Sequence, residues 1–230
     1  MIGKIEVLAE SLFNRNNPVD AIFRYYFIHH DPMRRTVKTF SDGPVLGMLA
    51  ECETDLDPEP LVLFAINKVE SLPLLLRRIL APKKKYFIVS KWEQRTAVLK
   101  VVAAVDESRY RIFAGDRNLF KDRPLPACTR FEEGGFFGYR IAEGADIHAS
   151  ARIRWMAESF AGVTAFTESE HRGKGYSQAC LGTLTKKLHM RGVLPLYPCE
   201  AGNEDEVKLL SGLGYHSLEK DLYVCHGGLK

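Results

Sequence analysis

The sequence lacks the features that define several large classes of protein. Its 230 residues contain no apolar run near the ~20 residues that a membrane-spanning helix requires, and the longest runs, such as 61–66, are strand-length. The first residues lack the apolar stretch of a secretory signal. The net charge of +3 is too small to indicate a nucleic-acid-binding surface. We therefore expect a cytoplasmic protein without nucleic-acid or membrane partners.

The cysteines are few and scattered. The five residues are Cys52, Cys128, Cys180, Cys199 and Cys225, and no two form a C-x-x-C pair. This odd number and spacing argue against a disulfide framework and against a zinc site, so we predict no metal. The simplest interpretation of each is a small buried side chain in a reducing compartment.

The two halves of the chain share one order of predicted elements. Periodicity and turn residues predict strand, strand, loop, strand, helix, strand, helix, strand over 36–114, and the same order over 137–225. The segment 119–135, which contains two prolines and ends at Gly134-Gly135, predicts a linker. We therefore expect an α/β (α+β) chain with domains at 1–118 and 136–230.

The most specific feature follows the predicted strand 161–167. The segment Arg172–Ser177 places Gly173 and Gly175 at the start of a predicted helix over 176–190. Glycines allow close backbone approach, and the free N–H groups of a first helical turn favour a phosphate. A G-x-x-x-x-G-K-[ST] string is absent, and Gln178 occupies the third position of G-x-G-x-x-G. The spacing thus fits neither a nucleoside triphosphate nor a dinucleotide.

This turn resembles motif A of the GNAT superfamily, [RQ]-x-x-G-x-[GA]. Arg172 and Gly175 match its first and fourth positions, and Ser177 stands where Gly or Ala is usual. A second superfamily pattern, N-x-x-A-x-x-L-Y-x-x-x-G-[FY], follows in register. It is matched at Asn203, Leu209, Gly214 and Tyr215, whereas Glu206 replaces its Ala and Leu210 its Tyr.

The resemblance covers about 147–225 and implies a GNAT-like fold. Such a fold is a mixed, mostly antiparallel twisted sheet flanked by helices, here in two tandem GNAT-like halves. The layout is similar to the glycine N-acyltransferase-like branch. The N-terminal half is then a degenerate copy without its own CoA, because the helix after Ile66 starts without a glycine pair.

The resemblance implies acetyl-CoA, or another acyl-CoA, as co-substrate. Backbone amides of Gly173, Lys174, Gly175, Tyr176 and Ser177 would bind its pyrophosphate, with Arg172 beside it. Strand residues Ala165, Phe166 and Thr167 would pair with pantetheine. Asn203 would contact the cofactor arm, cap the helix over 204–213, or do both.

The acid for catalysis is left open by the sequence. The superfamily's usual acid is the Tyr that Leu210 replaces, and leucine has no proton to donate. Three alternatives remain: Tyr215 or Tyr197 substitutes for it, water protonates the leaving thiolate, or the domain binds acyl-CoA without transferring the acyl group.

Candidate bases are carboxylates at the ends of predicted strands. Glu158 and Glu168 flank strand 161–167, and Glu200 follows strand 193–197. A desolvated carboxylate there would have a raised pKa suited to a general base. His148 and His171 are weaker candidates.

The sequence therefore predicts an acyl-CoA-dependent N-acyltransferase, most simply an N-acetyltransferase, that acylates the primary amine of a small molecule by direct transfer. The alternative is a non-catalytic acyl-CoA-binding or sensing module, which Leu210 favours. The N-terminal half then has two candidate roles, covering the acceptor cleft or mediating a homodimer.

Overall fold

The chain divides into two compact units, each with its own apolar core. A computed structural model describes residues 2–121 and 126–230. The first unit comprises Met1–Tyr110 with Lys220–Lys230, and the second comprises Arg111–Glu219. Within the described residues, no helix has both the length and the apolar character needed to cross a membrane.

The described residues form six α-helices and eleven strands. The helices are α1 (Ile2–Leu12), α2 (Pro18–Arg24), α3 (Leu72–Ile79), α4 (Arg95–Leu99), α5 (Tyr176–Met190) and α6 (Glu204–Leu213). The strands are β1 (Arg35–Asp42), β2 (Val45–Cys52), β3 (Leu61–Ile66), β4 (Tyr86–Lys91), β5 (Val102–Gly115), β6 (Thr129–Glu133), β7 (Phe136–Glu143), β8 (Asp146–Ala157), β9 (Phe160–Thr167), β10 (Leu194–Glu200) and β11 (Tyr215–Leu229).

In the first unit, β1, β2 and β3 pair antiparallel and β4 pairs parallel to β3. The helix α3 makes the connection that a parallel pair requires. The strand β3 reads Leu-Val-Leu-Phe-Ala-Ile and is buried on both faces, with Phe64 and Val62 in a cluster with Leu72 and Leu76 of α3. The end of β11 pairs antiparallel with β4.

The second unit repeats this order. Strands β6 to β9 pair antiparallel, β10 pairs parallel to β9, and α5 connects β9 to β10. The buried face of α5 contributes Leu181, Leu184 and Leu188 to the core. The predicted mixed, mostly antiparallel sheet flanked by helices is confirmed, and the repeated order supports two related halves.

The compact units divide the chain differently from the predicted ranges 1–118, 119–135 and 136–230. Strands β5 and β11 are longer than predicted, and each continues from one unit into the other. Charged residues interrupt the apolar pattern of both strands, so the sequence predicts shorter strands. Two of these residues, Arg109 of β5 and Asp221 of β11, form an ion pair within the first unit. The predicted linker contains β6, a short strand with mostly exposed, charged residues, and its residues 122–125 lie outside the described residues.

Candidate functional site

The pairing between β9 and β10 stops partway along both strands. The parallel ladder runs from Leu194 opposite Phe160 to Leu196 opposite Gly162. Beyond it β9 continues to Thr167, paired on its other side with β8 up to Ala149, and β10 continues to Glu200. Among the described residues, the backbone of β9 therefore has one edge paired with a strand and one open edge beside Ala165 and Thr167.

Two left-handed glycines turn the chain from β9 into α5. Gly173 has φ +75° and Gly175 has φ +77°, and a Cβ at either position would meet no atom of residues 2–121 or 126–230 within 4 Å. Residues other than glycine rarely adopt such a positive φ. The backbone conformation, and not a lack of space for a side chain, therefore requires glycine at both positions. Gly175 is the N-cap of α5, and no side chain in the described part of the chain caps this helix. The N–H groups of its first turn remain available to an anion.

A cavity of about 740 Å³ lies against this turn. That volume is typical of a small-molecule site. Nine of the ten predicted cofactor-binding residues line it; the tenth, Lys174, does not. The nine are Ala165, Phe166, Thr167, Arg172, Gly173, Gly175, Tyr176, Ser177 and Asn203.

Several of these residues also have structural roles. The hydroxyls of Thr167 and Ser177 form a hydrogen bond that joins the end of β9 to the first turn of α5. Asn203 caps α6, because its Oδ1 accepts the backbone N–H of Glu206 at 3.2 Å. Phe166 is 52% exposed, so its ring is not core. The cap and the cavity position of Asn203 are compatible, as the sequence suggested.

A tyrosine and a glutamate meet in the cavity wall. The Tyr197 hydroxyl, from β10, donates to Oε1 of Glu206, on α6, at 2.9 Å. Burial, together with the charge of Glu206, raises the pKa of Tyr197, although a hydrogen bond with the backbone of Ala165 opposes this. The phenol therefore keeps its proton at neutral pH. It lies beside the open edge of β9.

Three aromatic rings stack next to the glycine turn. The imidazoles of His148 and His171 lie 3.9 Å apart and nearly parallel, and the ring of Tyr176 stacks at 5.9 Å from His171. Nζ of Lys174 lies 3.2 Å from Nδ1 of His171. Partial burial and the neighbouring His148 and Lys174 lower the pKa of His171, so the ring is neutral at pH 7.

The predicted catalytic residues do not come together. Glu158 lies in the β8–β9 turn, at the end of β9 opposite to Thr167, and a strand of that length spans ~20 Å. Glu200 is exposed at the end of β10, near Asn203, but does not line the cavity. Tyr215 is buried in the core, where its hydroxyl bonds to Thr185 Oγ1 at 2.6 Å.

The sequence predicts no role for Glu206, which only departs from the superfamily pattern there. It lies three residues after Asn203, and residues at that spacing share a face of a helix. This spacing was the signal available in the sequence. The fully buried Leu210, at the position of the usual Tyr, has no access to the cavity.

Solved structures of other proteins share this fold. A GCN5-related N-acetyltransferase-like protein from Streptococcus suis aligns with a TM-score of 0.63 at 14% identity, over 100% of both chains. A GCN5-related N-acetyltransferase from Kribbella flavida aligns at 0.62 and 13%, over 97% of this chain and 99% of that one. A tandem GNAT protein from the clavulanic acid biosynthesis pathway aligns at 0.59 and 10%, over 99% and 94%. The chain thus has the fold of GNAT acyltransferases.

The family follows from the sequence model. The model of the GNAT acetyltransferase family matches residues 87–223, which is more than half of the 230 residues. The chain belongs to the GNAT acetyltransferase family. No curated protein matches the chain.

Proposed function

We propose that this protein transfers an acyl group, most simply acetyl, from acyl-CoA to the primary amine of a small molecule. The observation that carries the proposal is the left-handed glycine turn at the uncapped start of α5, directly beside the open edge of β9. The glycine turn suits a pyrophosphate, and the open edge of β9 suits an extended chain with amide groups. Residues of both line the cavity. Family membership supports the same reaction.

The residues present fit an acyl-CoA. Amides of the turn from Gly173 to Ser177 would hold the pyrophosphate, with the exposed Arg172 adding positive charge. Backbone groups of Ala165 and Thr167 would pair with the pantetheine amides. When bound, acyl-CoA supplies the acyl group as a reactive thioester.

Tyr197 and Glu206 supply the proton chemistry in this proposal. The Glu206 carboxylate accepts a proton from the incoming amine, which must be neutral to attack. Tyr197 holds a proton at its phenol oxygen and can release it to a leaving thiolate. Because the phenol donates to Glu206 Oε1, the carboxylate can return the proton to Tyr197. Tyr197 thus takes the part that Leu210 cannot, and its position in the wall favours it over Tyr215.

A non-catalytic acyl-CoA-binding module is the second candidate. The full burial of Leu210 favours it, because the family position for a proton donor is closed to the cavity. This module would bind acyl-CoA with the same residues but release no CoA in the presence of amines.

Binding is tested with the glycine that caps α5. In Gly175→Val a β-branched residue must adopt φ +77°, which displaces the turn and should abolish acetyl-CoA binding in calorimetry. Gly192→Val is the matched control, since Gly192 has φ +72°, equally open surroundings and a place beyond the other end of α5. Equal loss in both variants would contradict the site. Turnover over a panel of amines, followed by thiol release, then separates the enzyme from the binding module.

A further inference from the structure

Two cysteines lie side by side in the second unit, outside the candidate acyl-CoA cavity. The Sγ atoms of Cys128, just before β6, and Cys180, in the second turn of α5, are 3.8 Å apart. A disulfide requires the sulfurs to approach by roughly 1.7 Å more. Cys128 can supply that movement, since it is only partly buried and precedes a short strand, whereas Cys180 is fully buried within a helix.

The surroundings make one sulfur of the pair the better nucleophile. A hydrogen bond with Cys180 lowers the pKa of Cys128, with burial opposing it and Thr183 adding to it, so thiolate forms more easily there. The hydrogen bond with Cys128 and burial raise the pKa of Cys180. The thiolate is the reactive form of cysteine, and access to solvent governs its reaction with oxidants.

The other three cysteines provide an internal contrast. Cys52, Cys199 and Cys225 are buried, and burial raises the pKa of each thiol, to about 12 for Cys52 and Cys199. They therefore carry little thiolate at neutral pH and are poorly reached by oxidants. We therefore expect an oxidant to react selectively with Cys128, because the five thiols differ in burial and in their neighbouring groups.

We propose that Cys128 and Cys180 form a reversible oxidation site for hydroperoxides, with Cys128 as the attacking and Cys180 as the resolving thiol. With hydrogen peroxide, Cys128 Sγ attacks one peroxide oxygen, the O–O bond breaks, and Cys128 becomes a sulfenic acid while one water leaves; an organic hydroperoxide would release an alcohol in place of this water. Cys180 Sγ then attacks Cys128 Sγ, the S–O bond breaks, the S–S bond forms, and the second water leaves. Two thiols lose two electrons and two protons, and hydrogen peroxide takes them up as two waters.

The disulfide would join the segment before β6 to α5. It would close a loop of the chain that contains β6 to β9. Such a cross-link restricts the unfolded chain and stabilises the folded unit. This proposal does not depend on acyl transfer, because its readouts are thiols, mass and melting temperature.

The test uses the full chain, freed of reductant and treated with equimolar hydrogen peroxide near neutral pH. We expect the thiols titrated with DTNB after denaturation to fall from the five free cysteines to three, with a mass loss of two hydrogens. Non-reducing peptide maps should join the peptides of Cys128 and Cys180, and dithiothreitol should reverse the change. The melting temperature should rise by about 5 °C or more.

Variants separate this pair from general oxidation. Cys128→Ser changes a partly exposed residue and should lose no thiol pair, whereas the matched control Cys52→Ala should still lose two thiols. An unchanged thiol count, a disulfide between other cysteines, or a Cys128 sulfenic acid trapped by dimedone without a disulfide would each overturn the proposal. The peptide map of the unaltered chain decides this without any variant.

Discussion

Replacing Tyr197 by phenylalanine removes one hydroxyl from the cavity wall and keeps the ring. The lost hydrogen bond goes to a carboxylate that is only partly buried, so water can replace the phenol beside Glu206. The free energy of unfolding should therefore fall by only ~1 kcal/mol, or about 2–4 °C in melting temperature. If the phenol supplies the proton, kcat should fall by about 10²–10⁴-fold. The Kd for acetyl-CoA should stay the same.

The matched variant is Tyr215→Phe, which the structure places in the core. It leaves the buried Thr185 hydroxyl without its tyrosine partner. The free energy of unfolding should therefore fall by about 1–3 kcal/mol while kcat is unchanged. Thiol release with an amine that supports turnover, calorimetry with acetyl-CoA and thermal melts measure the three quantities. A normal kcat in Tyr197→Phe, or an equal loss of kcat in Tyr215→Phe, would refute the assignment.

Three further substitutions probe the cavity and its supports. Partial burial and the neighbouring His148 and Lys174 lower the pKa of His171, so its ring gains positive charge only in acid solution. Acetyl-CoA binding should tighten there with proton uptake, and His171→Gln should abolish this pH dependence in calorimetry. Asn203→Ala removes the cap of α6 and should lower stability by about 1 kcal/mol in thermal melts, with weaker binding if its amide also meets the ligand. Leu210→Tyr overfills a closed core position and should cost about 1–3 kcal/mol without raising kcat; a faster enzyme would show that an acid is missing.

The elements around the glycine turn were predictable because local signals mark them. The predicted helices over 176–190 and 204–213 agree with the bounds of α5 and α6. Gly175 and Asn203 mark where they start, and both are residues whose conformation or side chain suits a helix N-cap. The set of residues near the turn could therefore be predicted from motif spacing and from the family resemblance.

The residues that meet only through the tertiary fold were harder to predict from the sequence. Tyr197 and Glu206 come from a strand and a helix, and their hydrogen bond depends on how α6 packs on β10. Glu158 was inferred from its position at a strand end, but only the far end of β9 leads into the turn. Tyr215 matches a sequence pattern, yet the direction of its side chain is set by packing against Thr185.

The open edge of β9 also has a consequence for hydrogen exchange. As far as the structure describes the chain, the strand between Gly162 and Thr167 is paired with β8 on one side and, on the other, has the contact of Tyr197 with Ala165. Backbone amides that face the open side are free to exchange with solvent. Inorganic pyrophosphate would slow exchange at the glycine turn alone, whereas a ligand with an extended amide arm would slow it along β9 as well. The length of the protected segment would thus report the length of the occupant.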